Sequence, residues 1–159
     1  MREILFKAKA INRDGGFRRT SYKNGDWVYG LVTRLYDDRF PKLPAEMANT
    51  NGVIGIEIDY KTISQFTGLT DKNGKKIFEG DILKTHYANA RKCEFVEVVV
   101  FHNGRFCAEG NIGSNGRSWA NLWDGVHHIP QDKTVYMDSM EVIGNIHDNP
   151  ELLEVNDNA

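Results

Sequence analysis

The 159-residue chain predicts a mainly β fold of the β-rich α+β class. A β-rich N-terminal half packs on a small SH3-like, partly open β-barrel, and a short helix ends the chain. Two observations carry this expectation. Asn-Gly occurs five times, at Asn24-Gly25, Asn51-Gly52, Asn73-Gly74, Asn103-Gly104 and Asn115-Gly116, and Asp-Gly adds Asp14-Gly15 and Asp124-Gly125. These dipeptides suit the positive φ values of type I′ hairpin turns. Between the turns, β-branched and aromatic residues alternate with polar ones at the two-residue period of a strand. Little space is left for long helices.

The elements follow in order. Ile4, Phe6, Ala8 and Ala10 alternate with Leu5, Lys7 and Lys9 as a first strand. Trp27 to Tyr36 follows a turn and reads as a second. One helical turn is expected between Pro41 and Met47. Ile54, Ile56, Ile58 and Tyr60 alternate as a half-buried strand. Ile77 to Leu83 opens the second half, with Glu79-Gly80-Asp81 as a bulge or tight bend. Phe95–Phe101 and Arg105–Ala108 face each other across His102-Asn103-Gly104, the strongest hairpin signal. Residues 111–133 show no periodicity and read as a long loop carrying Trp119 and Trp123. A last strand, in two pieces, covers Val135 to Ile146. Asp148-Asn149-Pro150-Glu151 has the order of a helix start, a polar cap and then proline at the first position. A polar turn at Leu69–Lys76 sets a soft boundary. It divides residues 1–69 from 70–155, and 156–159 form a frayed tail.

Composition narrows the function. Twenty Lys and Arg stand against 22 Asp and Glu, a net charge of −2, so the chain is not a highly basic nucleic-acid coat. Early charge at Arg2 and Glu3 argues against a signal peptide, and no apolar run approaches the about 20 residues of a membrane span. Two cysteines, Cys93 and Cys107, are too few for a disulfide scaffold and fit a reduced, cytoplasmic setting.

Two stretches carry a family resemblance. Thr62 to Leu83, with Thr67-Gly68-Leu69-Thr70-Asp71-Lys72-Asn73-Gly74 and Ile77-Phe78-Glu79-Gly80-Asp81 at its heart, resembles the central signature of the YopX family of bacteriophage and prophage proteins. The tail Glu141-Val142-Ile143-Gly144-Asn145-Ile146-His147-Asp148-Asn149-Pro150 resembles that family's C-terminal motif. The resemblance implies a mostly β fold and a phage or prophage source in a bacterial cell. It implies no activity, because turns, core residues and caps make up both motifs.

Chemistry-bearing residues give weaker signals. His127 and His128, near Asp124 and Asp132, are the most metal-like group, but neighbours on an extended segment point to opposite sides, so no metal site is expected. No Gly-x-Ser-x-Gly, His-Glu-x-x-His, Walker A or Gly-x-Gly-x-x-Gly motif occurs, so neither a catalytic residue nor a cofactor is expected. Arg13, Arg18, Arg19 and Lys23 surround Phe17, Tyr22 and Trp27, and Lys75 and Lys76 add a second basic turn. Cations beside aromatic rings are how sequence-tolerant single-strand binders work. Trp119, Leu122 and Trp123 would share one face of a short helical turn, as a core plug or a protein contact. The leading expectation is a non-enzymatic interaction or assembly module with a host or phage protein partner, and exposed β edges could join copies into a homo-oligomer. A nucleic-acid-binding accessory protein comes second.

Overall fold

The computed structural model describes residues 3–12, 21–35, 45–87, 94–111, 117–122, 126–129 and 133–153. Two compact units divide the chain, Met1–Phe66 and Thr67–Ala159.

In the first unit, β1 (Phe6–Lys9), β2 (Trp27–Arg34), β3 (Ala45–Asn49), β4 (Ile56–Ile58) and the start of β5 (Ser64–Thr70) pair in the order β4-β3-β2-β1-β5. Neighbours are antiparallel, with Ala8 opposite Val28, Val32 opposite Met47 and Met47 opposite Ile56. One phase of each strand supplies the core: Ala8, Val28, Ala45, Met47, Ile56 and Ile58, with Phe6 and Val32 packed against it. The sheet curls until edge strand β4 meets the end of β1. Ala10 bridges Ile58, Ile11 N donates to Glu57 O at 2.9 Å, and Asp59 N donates to Lys9 O at 2.9 Å. A 3-10 turn, Tyr60–Thr62, is capped by Asp59, whose Oδ1 accepts from Lys61 N. It is also tied to β1, because Thr62 Oγ1 accepts from Lys9 N at 2.8 Å. Gly30 marks the closest approach of β2 and β3: a Cβ there would sit 1.8 Å from Ala48 O. The helical turn expected at Pro41–Met47 is not formed over Ala45–Met47, which lie in β3; residues 41–44 are outside the described residues. Pairing on both sides of Met47 buries it completely, and that outweighs a weak local preference.

In the second unit, β6 (Lys76–Phe78) pairs with β5. Six further strands are β7 (Asp81–Tyr87), β8 (Glu94–His102), β9 (Arg105–Asn111), β10 (Arg117–Asn121), β11 (Val126–Ile129) and β12 (Lys133–Asn145). Their pairings run β10-β11-β12-β7-β8-β9, and β9 returns to β10, so the ladder closes where a partly open one was expected. Ile77, Leu83, Val99, Ala108, Leu122 and Val142 form the core, with Leu69, Phe95, Phe106 and Met140 packed on it. The segment read as a long loop contains β10 and β11. Arg117–Asn121 lacks an alternating pattern of its own and is extended because β9 templates it, from Arg117 opposite Asn111 to Asn121 opposite Cys107. The expected C-terminal helix is replaced at 150–153 by a 3-10 turn, with Leu152 N donating to Asn149 O at 3.1 Å. Four residues are too few to repay α-helix nucleation. No α-helix occurs among the described residues.

The Asn-Gly turns differ from one another. Gly25, Gly52, Gly74 and Gly104 all have φ between 80° and 88°, but among the described non-glycine residues only Asn103 has positive φ, at 49°. Only the β8–β9 hairpin therefore has the two left-handed residues of a type I′ turn. The others use one left-handed glycine, as a type I turn with a following bulge does.

Candidate interaction surface

The signature residues build framework. Asp71 is buried, and its carboxylate takes three backbone amides: Oδ1 accepts from Asn73 N at 2.8 Å and Lys75 N at 2.9 Å, and Oδ2 from Val142 N at 3.0 Å. Burial pushes this carboxyl up, but the amides of Val142, Lys75 and Asn73 together hold it below the ordinary aspartate value. One bend later Asp81 takes one backbone amide and one side-chain amide. Its Oδ2 accepts from Phe78 N at 2.8 Å and its Oδ1 from Asn145 Nδ2 at 3.0 Å. Asn145 O in turn accepts from Asp148 N and Asn149 N, and Gly80 O from Ile146 N. The two motifs, about 70 residues apart in sequence, are thus hydrogen-bonded to each other inside the second unit, with their buried polar side chains directed at backbone and at one another rather than at solvent.

A surface with binding character lies on the outward phase of the first unit's sheet. On β2 the residues between the core positions are Trp27, Tyr29, Leu31 and Thr33. Tyr29 is 42% exposed and Leu31 50%, and Leu35 just beyond the strand is 65% exposed. Cross-strand from them, Lys9 faces Trp27 and Lys7 faces Tyr29. Both ammonium groups approach the same indole, Lys7 Nζ at 4.7 Å from the ring centroid and Lys9 Nζ at 5.5 Å. On the β3 side, Arg34 pairs with Glu46 at 3.4 Å. A row of exposed apolar groups therefore runs between a lysine–indole cluster and an ion pair. Ordinary β alternation puts them there: a strand with Val28 and Val32 inward must send Tyr29 and Leu31 outward.

The sequence-expected site residues fall variously. Arg13, Arg18, Arg19 and Trp123 lie outside the described residues. Lys23 is exposed in the turn before β2, where its backbone N donates to Asp26 Oδ2. Lys75 and Lys76 are exposed at the turn entering β6, in the other unit. Trp119 is in β10 opposite Glu109, so the helical face proposed for Trp119, Leu122 and Trp123 is not formed. Leu122 is only 4% exposed and belongs to the second unit's core. His127 and His128 are consecutive on β11.

Sequence reading missed two features. Lys7 and Lys9 were visible only as the polar phase of a strand; their register opposite Trp27 was not. Glu97, in the inward phase with Phe95 and Val99, is fully buried, and its Oε2 accepts from the Thr85 hydroxyl at 2.5 Å. A Cβ at Gly110 would come within 2.7 Å of Glu97 Cγ, so Gly110 leaves the room the glutamate occupies. An acid in an inward phase was the available signal.

Comparison with known proteins adds lineage. The YopX protein family matches residues 17–154. The crystal structure of protein EF1440 from Enterococcus faecalis is similar, at 27% identity over 95% of this chain and 98% of that one, with a TM-score of 0.48. No curated protein sequence matches.

Proposed function

We propose a non-catalytic binding role for this chain, which belongs to the YopX family: an interaction or assembly module, encoded by a phage or prophage and acting in the bacterial cytoplasm on a host or phage protein. The observation that carries this reading is the exposed row Tyr29, Leu31 and Leu35 on the outward side of β2. Large apolar groups presented together from a rigid sheet are what a protein partner buries. The polar signature residues, turned toward their own backbone, support framework over catalysis. The same reading takes residues 70–155 as the SH3-like barrel half, which the ring of pairings β10-β11-β12-β7-β8-β9 supports.

The test is affinity capture from the lysogenic host with wild type and Leu31→Glu. Leu31 is half exposed, so the substitution should change stability by no more than about 0.5 kcal/mol while abolishing recovery of the partner. Equal recovery by both chains removes this reading.

A second reading, nucleic-acid binding, is favoured by the half-buried Lys9 beside Trp27, whereas Lys7 at the same ring is buried. Such binding must weaken steeply with salt, because each neutralised phosphate releases counterions. Nuclease-sensitive capture lost on Lys9→Ala would put it first.

A further inference from the structure

Four Asn-Gly turns lie among the described residues, and they differ at the one atom that matters for their chemistry. Gly25 N donates to Ala10 O at 2.9 Å, Gly52 N to Asn49 O at 3.0 Å and Gly74 N to Asp71 O at 2.9 Å. Among the described residues no backbone carbonyl accepts from Gly104 N. The neighbouring side chains differ too. Asn103 Nδ2 lies 3.0 Å from His102 Nε2, and Asn103 is exposed at the tip of the β8–β9 hairpin.

We propose that Asn103-Gly104 is a site of spontaneous covalent modification, in which Asn103 cyclises to a succinimide with His102 as the proton relay. The nitrogen of Gly104 loses its proton to solvent and bonds to Asn103 Cγ, closing a five-membered imide. In the tetrahedral adduct Nδ2 becomes a basic amine; the Cγ–Nδ2 bond then breaks, and Nδ2 leaves as ammonia with a proton that His102 passes on and regains from solvent. Water then adds to one of the two imide carbonyls and leaves either aspartate or a β-linked isoaspartate. One water is consumed and one ammonia released, with no oxidant or reductant. Glycine lets this happen because it has no side chain to obstruct the attack. The 3.0 Å contact is within the reach a general acid needs. In the other three turns the attacking N–H is already committed to a carbonyl, and cyclisation must first break that bond. The product places a carboxylate beside His102 and Arg105. In its β-linked form it also inserts an extra main-chain carbon into the hairpin that joins β8 to β9.

The experiment ages the intact purified protein at mildly alkaline pH and physiological temperature. Peptide mass mapping then follows aspartate and isoaspartate at each Asn-Gly site. Asn103 should convert faster than Asn24, Asn51 and Asn73. His102→Gln, which keeps a hydrogen-bonding side chain but has no titratable proton to relay, should slow Asn103 by at least about tenfold and leave the other three unchanged. Conversion at Asn103 no faster than at the other sites overturns the proposal. So does an Asn103 rate unaltered by His102→Gln, with the variant's unfolding midpoint confirming that the hairpin is intact.

Discussion

Replacing Asp71 by alanine removes one carboxylate and leaves three backbone amides without their acceptor. Two of them, Asn73 N and Lys75 N, belong to exposed turn residues and can turn to water. The third, Val142 N, belongs to a residue 9% exposed and has no such recourse. A hydrogen bond to a charged group contributes about 1.5–3 kcal/mol, and a buried unpaired amide costs about 1–3 kcal/mol. With one buried amide stranded and two re-solvated, the expected loss is about 2–5 kcal/mol. Urea unfolding of wild type and Asp71→Ala measures it. The pH dependence is a second readout. Three amides depress the folded-state pKa below the ordinary aspartate value of 3.8, despite the opposing effect of burial. The stabilisation is therefore complete above the unfolded value and is lost as pH falls through the lower folded one. Asp71→Asn should be destabilised at neutral pH and should lack that increment of acid loss. A change under about 0.5 kcal/mol in Asp71→Ala, the range of ordinary surface substitutions, refutes the reasoning.

Ile82, fully buried in β7, should cost about 2–5 kcal/mol when cut to alanine, and an unchanged unfolding midpoint would show that it is not packed. Gly30→Ala drives a Cβ into the Ala48 carbonyl, a backbone atom that cannot swing aside, so the loss should reach about 1–3 kcal/mol or more and lower the thermal midpoint. If nucleic acid is the ligand, Arg18 and Arg19 changed together to alanine should weaken oligonucleotide binding and flatten its salt slope, with Trp119→Ala mattering less. If a protein is the partner, the arginine changes should be nearly silent in a binding titration, whereas Trp119→Ala should cost about 2 kcal/mol if β10 is the anchor.

Whatever depends on a few neighbouring residues was legible in the sequence. The β8–β9 hairpin follows from apolar alternation on both sides of His102-Asn103-Gly104, and turn chemistry of that kind acts over four residues. Ile77, Phe78 and Ile82 were readable as core for the same reason, since their strand phase is written beside them. The signature's turns and caps were readable as turns and caps, but not as hydrogen-bonded to each other. Nothing local to Asp71 announces that its carboxylate will hold the amide of Val142, 71 residues away. β10 was illegible because Arg117–Asn121 takes its conformation from β9, and Leu122 could be read as a contact residue until the closing ladder buried it. The candidate surface has the same character. Trp27, Tyr29 and Leu31 alternate visibly along β2, but the pairing register with β1 decides that Lys7 and Lys9 stand over one indole. Alternation sets which side of a strand a residue takes; only long-range pairing, where loop-closure entropy is met by burial elsewhere, sets what it faces.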